Sequence, residues 1–153
     1  MSDQHPMPLR LTSTLVLSIV FLAASAWADY QVGMDAYERG NYATALSEWR
    51  PLAEEGDAQA QLHLGLLYAN GDGVQQDYAK ARQWYEKAAA QGYAMAQSNL
   101  GYLYSDGKGV PKDGKKGVTW IRKAAEQRDA NGQASLGEMY RDGRGVPQDN
   151  VQA

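Results

Sequence analysis

The residues of this 153-residue chain best suited to chemistry are few: two histidines, one serine–lysine pair and a glycine doublet written three times. His5 lies in a leader-like N-terminus, which leaves His63 alone. A metal site or a proton relay would need partners at defined spacing, and no such cluster accompanies it. Ser105-Asp106-Gly107-Lys108 formally matches Ser-x-x-Lys, the signature of penicillin-recognising serine enzymes. That chemistry needs serine and lysine on one helical turn, whereas this stretch runs from a helix end into a glycine loop. Neither Ser-Asp-Asn nor Lys-Thr-Gly accompanies it. The Gly-x-Gly pairs at 71/73, 107/109 and 143/145 lack the third glycine and the preceding strand of a phosphate cradle. With no nucleophile elbow, His-Glu-x-x-His or Walker loop, the residues predict neither an enzyme nor a cofactor or metal site.

The elements that carry these residues are repeated. Residues 58–77, 94–113 and 130–149 align without a gap at a spacing of 36, with nine identical columns. Among them are Gln61/Gln97/Gln133, Leu64/Leu100/Leu136, Gly65/Gly101/Gly137 and Asp77/Asp113/Asp149. A fixed period of this length means stacked supersecondary units, each burying its apolar face on the next.

Within one unit, Ala60, Leu64, Leu67 and Tyr68 fall at helical steps. Gly65 inside that helix costs roughly 1 kcal/mol against alanine, so its recurrence predicts close approach of a neighbour. Asn70-Gly71-Asp72-Gly73 ends the helix and Val74 is expected to tuck between helices. Asp77 is placed to cap a second helix, Tyr78 to Gln91, with Ala81, Trp84, Tyr85, Ala88 and Ala89 on one face. Upstream, Tyr42, Ala43, Ala45 and Gly56 fall in register with Tyr78, Ala79, Ala81 and Gly92, which defines a shortened unit over 29–57. Its first helix covers about 30–39, and Pro51 should kink the second because it cannot donate to Ser47.

Ala-x-Ala-x-x-x-Leu-Gly-x-x-Tyr-x-x-Gly-x-Gly-Val-x-x-Asp, followed by Ala-x-x-Trp-Tyr-x-x-Ala-Ala-x-x-Gly, resembles the Sel1-like repeat, a relative of the tetratricopeptide repeat. The resemblance implies an all-α fold: a right-handed αα-hairpin solenoid with a capping hairpin at 29–57, repeats at 58–93 and 94–129, and an incomplete repeat at 130–153. It implies a scaffold for protein–protein contacts, often exported in bacteria and linked to envelope assembly, secretion, motility or host interaction. A cysteine-rich branch is associated with penicillin binding and β-lactamase activity, which makes a cell-wall or β-lactam hydrolase one alternative; a structural accessory of an envelope machine is the other. Three departures stand out: Arg128 in place of a closing glycine, Gly132 in place of Ala60 and Ala96, and Gly114 and Gly117 at a helix start. They predict a softer C-terminal half.

In superhelices of this kind the first helix of each hairpin lines the concave groove. Columns that vary inside the constant frame are free to carry specificity. They give the candidate partner-binding residues Gln59, Leu62, His63, Leu66, Met95, Ser98, Asn99, Tyr102 and Glu138. Columns 62 and 66 lie one turn apart on one face, and an apolar or aromatic anchor there suits a protein or peptide partner. The competing reading is that these side chains complete packing between repeats.

Arg10, the apolar run Leu15 to Ala24 and Ala26-Trp27-Ala28 read as a signal peptide over 1–28 cleaved after Ala28. The run is too short to span a bilayer, so a periplasmic or secreted protein without a membrane span is expected. The absence of cysteine leaves no disulfide framework and no site for a lipid anchor. Net charge is −3, but 106–128 carries seven basic and three acidic residues. That cluster either meets an anionic partner, such as cell-wall polymer or lipid headgroup, or forms a solvated face. Export and net charge speak against nucleic acid. The third copy stops at Ala153 in the column of Ala81, which leaves truncation or self-association through that end as alternatives.

Overall fold

Three aspartates and an asparagine start the helices. In the computed structural model, which describes residues 27–128 and 130–145, Asp57, Asp77 and Asp113 accept from the backbone N–H three positions on at 2.7, 3.0 and 2.9 Å. Asn41 does the same for Thr44 at 3.3 Å. Glycines stop the helices: Gly56, Gly71 and Gly107 take left-handed conformations at φ 108°, 81° and 73°, where only glycine escapes the Cβ clash. The described elements are α1 (27–38), α2 (Tyr42–Glu55), α3 (Ala58–Asn70), α4 (Tyr78–Ala90), α5 (Ala94–Asp106), α6 (Gly114–Glu126) and α7 (Ala130–Asp142). Among the described residues there is no strand, and each helix packs on its sequence neighbours as an αα-hairpin solenoid.

The core is a chain of clusters. The first joins Ala36, Ala45, Trp49 and Leu52 of the cap to Ala60, Leu64 and Leu67 of α3. The second joins Leu62, Ala81, Tyr85 and Ala88 to Ala96, Leu100 and Leu103. The third holds Val118, Ile121 and Met139. Val74 and Val110 pack on the first and second clusters respectively, as the sequence predicts.

Glycine makes the hairpins close. A Cβ on Gly65 would fall inside the Tyr85 ring, and one on Gly101 inside Ile121. Gly33 in α1 stands in the same relation to Trp49. Trp49, Tyr85 and Ile121 therefore form a column of plugs at the 36-residue spacing, each seated on a glycine. The plug is thus Tyr85 rather than Trp84, which is half-buried with Lys87 Nζ 4.0 Å above its ring.

A second glycine column locks the units together. A Cβ on Gly73 would meet Tyr42 and Ala43, one on Gly109 would meet Tyr78 and Ala79, and one on Gly145 would meet Gly114 and Lys115. Each loop thus presses its second glycine onto the start of the preceding unit's second helix.

The departures from the repeat pattern have definite places in the packing. Pro51 lies within α2, which continues to Glu55. Arg128 takes the left-handed turn anyway, at φ 61°, at a conformational cost of roughly 1–2 kcal/mol. Gly132 is a packing residue, since a Cβ there would lie 2.7 Å from Ala125 N. Gly117 likewise sits against Gly101 O, and Gly114 against Gly145. These glycines admit close neighbours. Most of the leader and the 146–153 segment lie outside the described residues; Trp27 and Ala28 open α1.

Candidate functional site

The first helices of the three repeats build one concave surface. A groove of about 400 Å³ is lined by Leu66 of α3, by Met95, Ser98, Asn99 and Tyr102 of α5, and by Asn131, Ala134, Ser135 and Glu138 of α7. Six of the sequence candidates meet here: Leu66, Met95, Ser98, Asn99, Tyr102 and Glu138. The helical step of three to four residues points them the same way on each helix, and stacking sets the helices side by side.

Two of the six are also structural. Tyr102 is half-buried against the third core cluster, and its hydroxyl donates to Ser135 Oγ at 2.6 Å. Ser135 Oγ in turn donates to Asn131 O at 2.6 Å, so the groove floor is a hydrogen-bonded relay between α5 and α7. Leu66 packs on the second cluster. Met95 is 40% exposed, an open large apolar side chain on the groove wall. Ser98 is buried, and its hydroxyl has no hydrogen-bond partner among the described residues.

The other three candidates go elsewhere. Leu62 is 1% exposed in the second cluster, so it is core and not groove surface. Its column reads Leu62/Ser98/Ala134, and only the position facing the larger neighbouring core needs leucine. His63 belongs to an aromatic cluster joining the cap to α3, with ring centroids 4.6 Å from Trp49 and 5.6 Å from Tyr30. Its Nδ1 lies 2.8 Å from Gln59 O and 3.3 Å from the Tyr30 hydroxyl. Burial lowers the imidazole pKa below its ordinary value, against the opposing pull of the Gln59 carbonyl and Asp57. Gln59 itself is exposed at the edge of this cluster.

The serine–lysine pair is not assembled. Ser105 is 2% exposed, and its hydroxyl sits beneath Gly117. Lys108 Nζ pairs with Asp106 at 3.6 Å and lies 5.6 Å from the centre of the Tyr78 ring. Among the described residues no group of histidine, aspartate or glutamate could hold a metal ion, and no helix is long and apolar enough to cross a membrane.

The polar part of the frame has a role that pattern reading missed. Gln61 Nε2 donates to Ala53 O at 3.0 Å and Gln97 Nε2 to Ala89 O at 3.2 Å, both buried. Gln91 and Gln127 close the ladder by donating to the Gln61 and Gln97 side-chain oxygens at 2.9 and 2.8 Å. The signal was present in the sequence as an invariant glutamine on an otherwise apolar face. This ladder, the plugged glycines and the glycine loops are the signature of one repeat. The Sel1 repeat model matches residues 58–93, 94–129 and 130–153.

The chain belongs to the Sel1 repeat family.

Solved Sel1 proteins share the fold. A protective antigen of uropathogenic Escherichia coli with an SLR fold superimposes with a TM-score of 0.76 at 42% identity, covering 88% of this chain and 30% of that one. A Sel1 repeat protein from Oxalobacter formigenes gives a TM-score of 0.72 at 36% identity, over 78% of this chain and 49% of that one. The alginate biosynthesis protein AlgK of Pseudomonas aeruginosa is 39% identical over 78 residues, 49% of this chain. The match spans only 16% of AlgK, and this Sel1 chain covers less than half of either solved neighbour. Sel1 repeats are a family typically used for protein–protein interaction.

Proposed function

We propose that this Sel1 protein is an exported, non-enzymatic adaptor that captures a protein or peptide in the groove of α3, α5 and α7. The observation that carries this reading is the groove's composition. It is built from columns that vary between otherwise constant repeats, with Met95 exposed and Tyr102 held rigid by Ser135. A rigid aromatic beside a flexible thioether is a low-entropy way to hold an apolar side chain of a partner. Glu138, Asn99 and Asn131 supply polar groups at the rim. Export and an envelope role are supported by the leader-like N-terminus and by the relatives, an alginate biosynthesis protein and a protective antigen.

A photo-crosslinking amino acid at Met95 tests the reading in envelope extract of the native organism. A discrete adduct is expected from Met95, with none at Thr119 on the exposed face of α6, and Tyr102→Ala should reduce it. Identical background labelling at both positions would remove the support for a groove-bound partner.

A further inference from the structure

A second concavity of about 720 Å³ lies on the loop edge, between the starts of α6 and the 143–145 loop. Its origin is visible by comparison with the same place one repeat earlier. There Tyr78 fills the space, its ring against the second core cluster and its hydroxyl accepting from Gln76 Nε2 at 3.1 Å. Gln76 also donates to Ala69 O at 2.8 Å and Lys108 covers the ring, so the first position is plugged. One repeat on, glycine stands at 114 in the column of Tyr78, and the plug is gone.

The neighbouring columns change with it. Lys112 stands in the column of Gln76, Lys115 in that of Ala79, and Ser105 in that of Ala69. Lys116 and Arg144 keep the positive charge of Lys80 and Lys108. Among the described residues its lining holds four cations, Lys112, Lys115, Lys116 and Arg144, and one carboxylate, Asp113. Arg144 is held by Asp142 at 2.9 Å and Asp106 at 3.7 Å, and Lys116 lies 4.0 Å over the Tyr104 ring. Among the described residues Lys112 and Lys115 make no ion pair within 4.0 Å. The Ser105 hydroxyl is buried, without a hydrogen-bond partner among the described residues. Packing alone does not call for removing an aromatic filler and adding two unpaired cations around the hole. A cleft of this size and sign collects an anionic ligand.

We infer that this cleft binds a carboxylated oligosaccharide, a segment of a polyuronate chain. Lys112 and Lys115 take its carboxylates, and Arg144 stands beside them on the far wall. Asp113, exposed and capping α6 through Oδ1, disfavours a compact, multiply charged phosphate and leaves Oδ2 to accept hydrogen bonds from sugar hydroxyls. An acidic peptide would meet the same cations, but Tyr104 is buried and Val110 half-buried, which leaves Pro111 as the exposed apolar side chain of the wall. The site is separate from the first-helix groove and goes beyond the adaptor reading.

Calorimetric titration of the whole protein with a galacturonate hexasaccharide decides the matter. Binding should weaken roughly tenfold or more in Lys112→Gln/Lys115→Ala, which restores the residues of the plugged copy, and also on raising salt from about 20 mM to about 300 mM. Lys80→Gln, at the plugged position, and a neutral maltohexaose serve as controls and should show no loss and no binding, respectively. Equal affinity in the wild type and the double variant would overturn the assignment. So would a hexaglutamate peptide that binds as tightly with the same dependence on Lys112 and Lys115, which would make the cleft a peptide site. All the substituted lysines are exposed, and circular dichroism confirms the fold. The double variant should leave Met95 crosslinking intact, so failure of either reading is seen independently of the other.

Discussion

At the scale of single residues, His63 shows how one column can hold a different job in each copy. Its counterparts Asn99 and Ser135 are ordinary polar residues, yet His63 is packed between Tyr30 and Trp49 where the cap meets α3. Burial lowers its pKa below the ordinary value near 6.5, so the folded state prefers the neutral ring. The unfolded chain takes up the proton more readily, and stability rises with pH across this range. The neutral-ring contribution is complete above the ordinary histidine pKa and is lost as pH falls from there through the folded value. Urea titrations at a series of pH values from 7.5 to about 5 should show this loss in the wild type. His63→Asn, the residue of the second copy, should flatten that slope; an unchanged slope would place the pH dependence elsewhere.

At the scale of elements, the hairpins are held by a polar ladder as much as by apolar plugs. Gln61 satisfies the Ala53 carbonyl at the end of α2 and receives Gln91 from the end of α4, so one buried side chain ties three helices. Gln61→Leu removes two hydrogen bonds, while Ala53 O keeps the Gly56 N–H at 3.2 Å and Gln91 Nε2 keeps Gly56 O at 2.9 Å; at about 0.5–1.5 kcal/mol each the loss is about 1–3 kcal/mol. Gln133 is the same column in the third repeat but is exposed, and Gln133→Leu should change stability by roughly 0.5 kcal/mol or less. Chemical denaturation of the two variants side by side measures the difference, and equal effects would mean that the ladder adds nothing beyond side-chain volume.

At the scale of the whole molecule, the second loop glycine is what makes the hairpins a stack. Gly92 and Gly109 both have positive φ, 86° and 66°, but a Cβ on Gly92 meets nothing within 4 Å, whereas one on Gly109 presses on the Tyr78–Ala79 backbone. Gly92→Ala should therefore cost only the left-handed penalty of roughly 1–2 kcal/mol. Gly109→Ala pays that and also pries the second repeat's loop from α4. In a solenoid, stability is a sum of repeat terms and nearest-neighbour terms. The second variant should thus lose more stability and unfold over a broader transition as neighbouring repeats uncouple. Two superimposable melting curves would show that the loop contact carries no coupling.

How much was legible in advance follows from the range of each interaction. The caps at Asp57, Asp77 and Asp113 and the glycine stops act within one turn, so residue type and position suffice to read them. The close approach at Gly65 was readable as a need, because glycine in a helix is otherwise unfavourable, but the side chain that fills it was not. That reasoning did not reveal that Gly117 and Gly132 let two helices touch, or that Gly114 lies against the 144–145 loop. Among the groove candidates, periodicity put columns 62 and 66 on one face but could not tell that Leu62 is buried in the second cluster while Leu66 and Tyr102 also line the groove.

The sequence by itself determined the repeat, its helix boundaries and the order of stacking, because a 36-residue period leaves a chain of hairpins no other way to bury its apolar faces. Only the tertiary structure decided which variable residues share a surface, that Ser105 and Lys108 face apart, and that glycine at 114 leaves an open, basic cleft where Tyr78 had closed one. The reason is that these are relations between neighbouring units. They depend on which side chain of one hairpin reaches the empty place in another, and that is set by the angle and distance of packing.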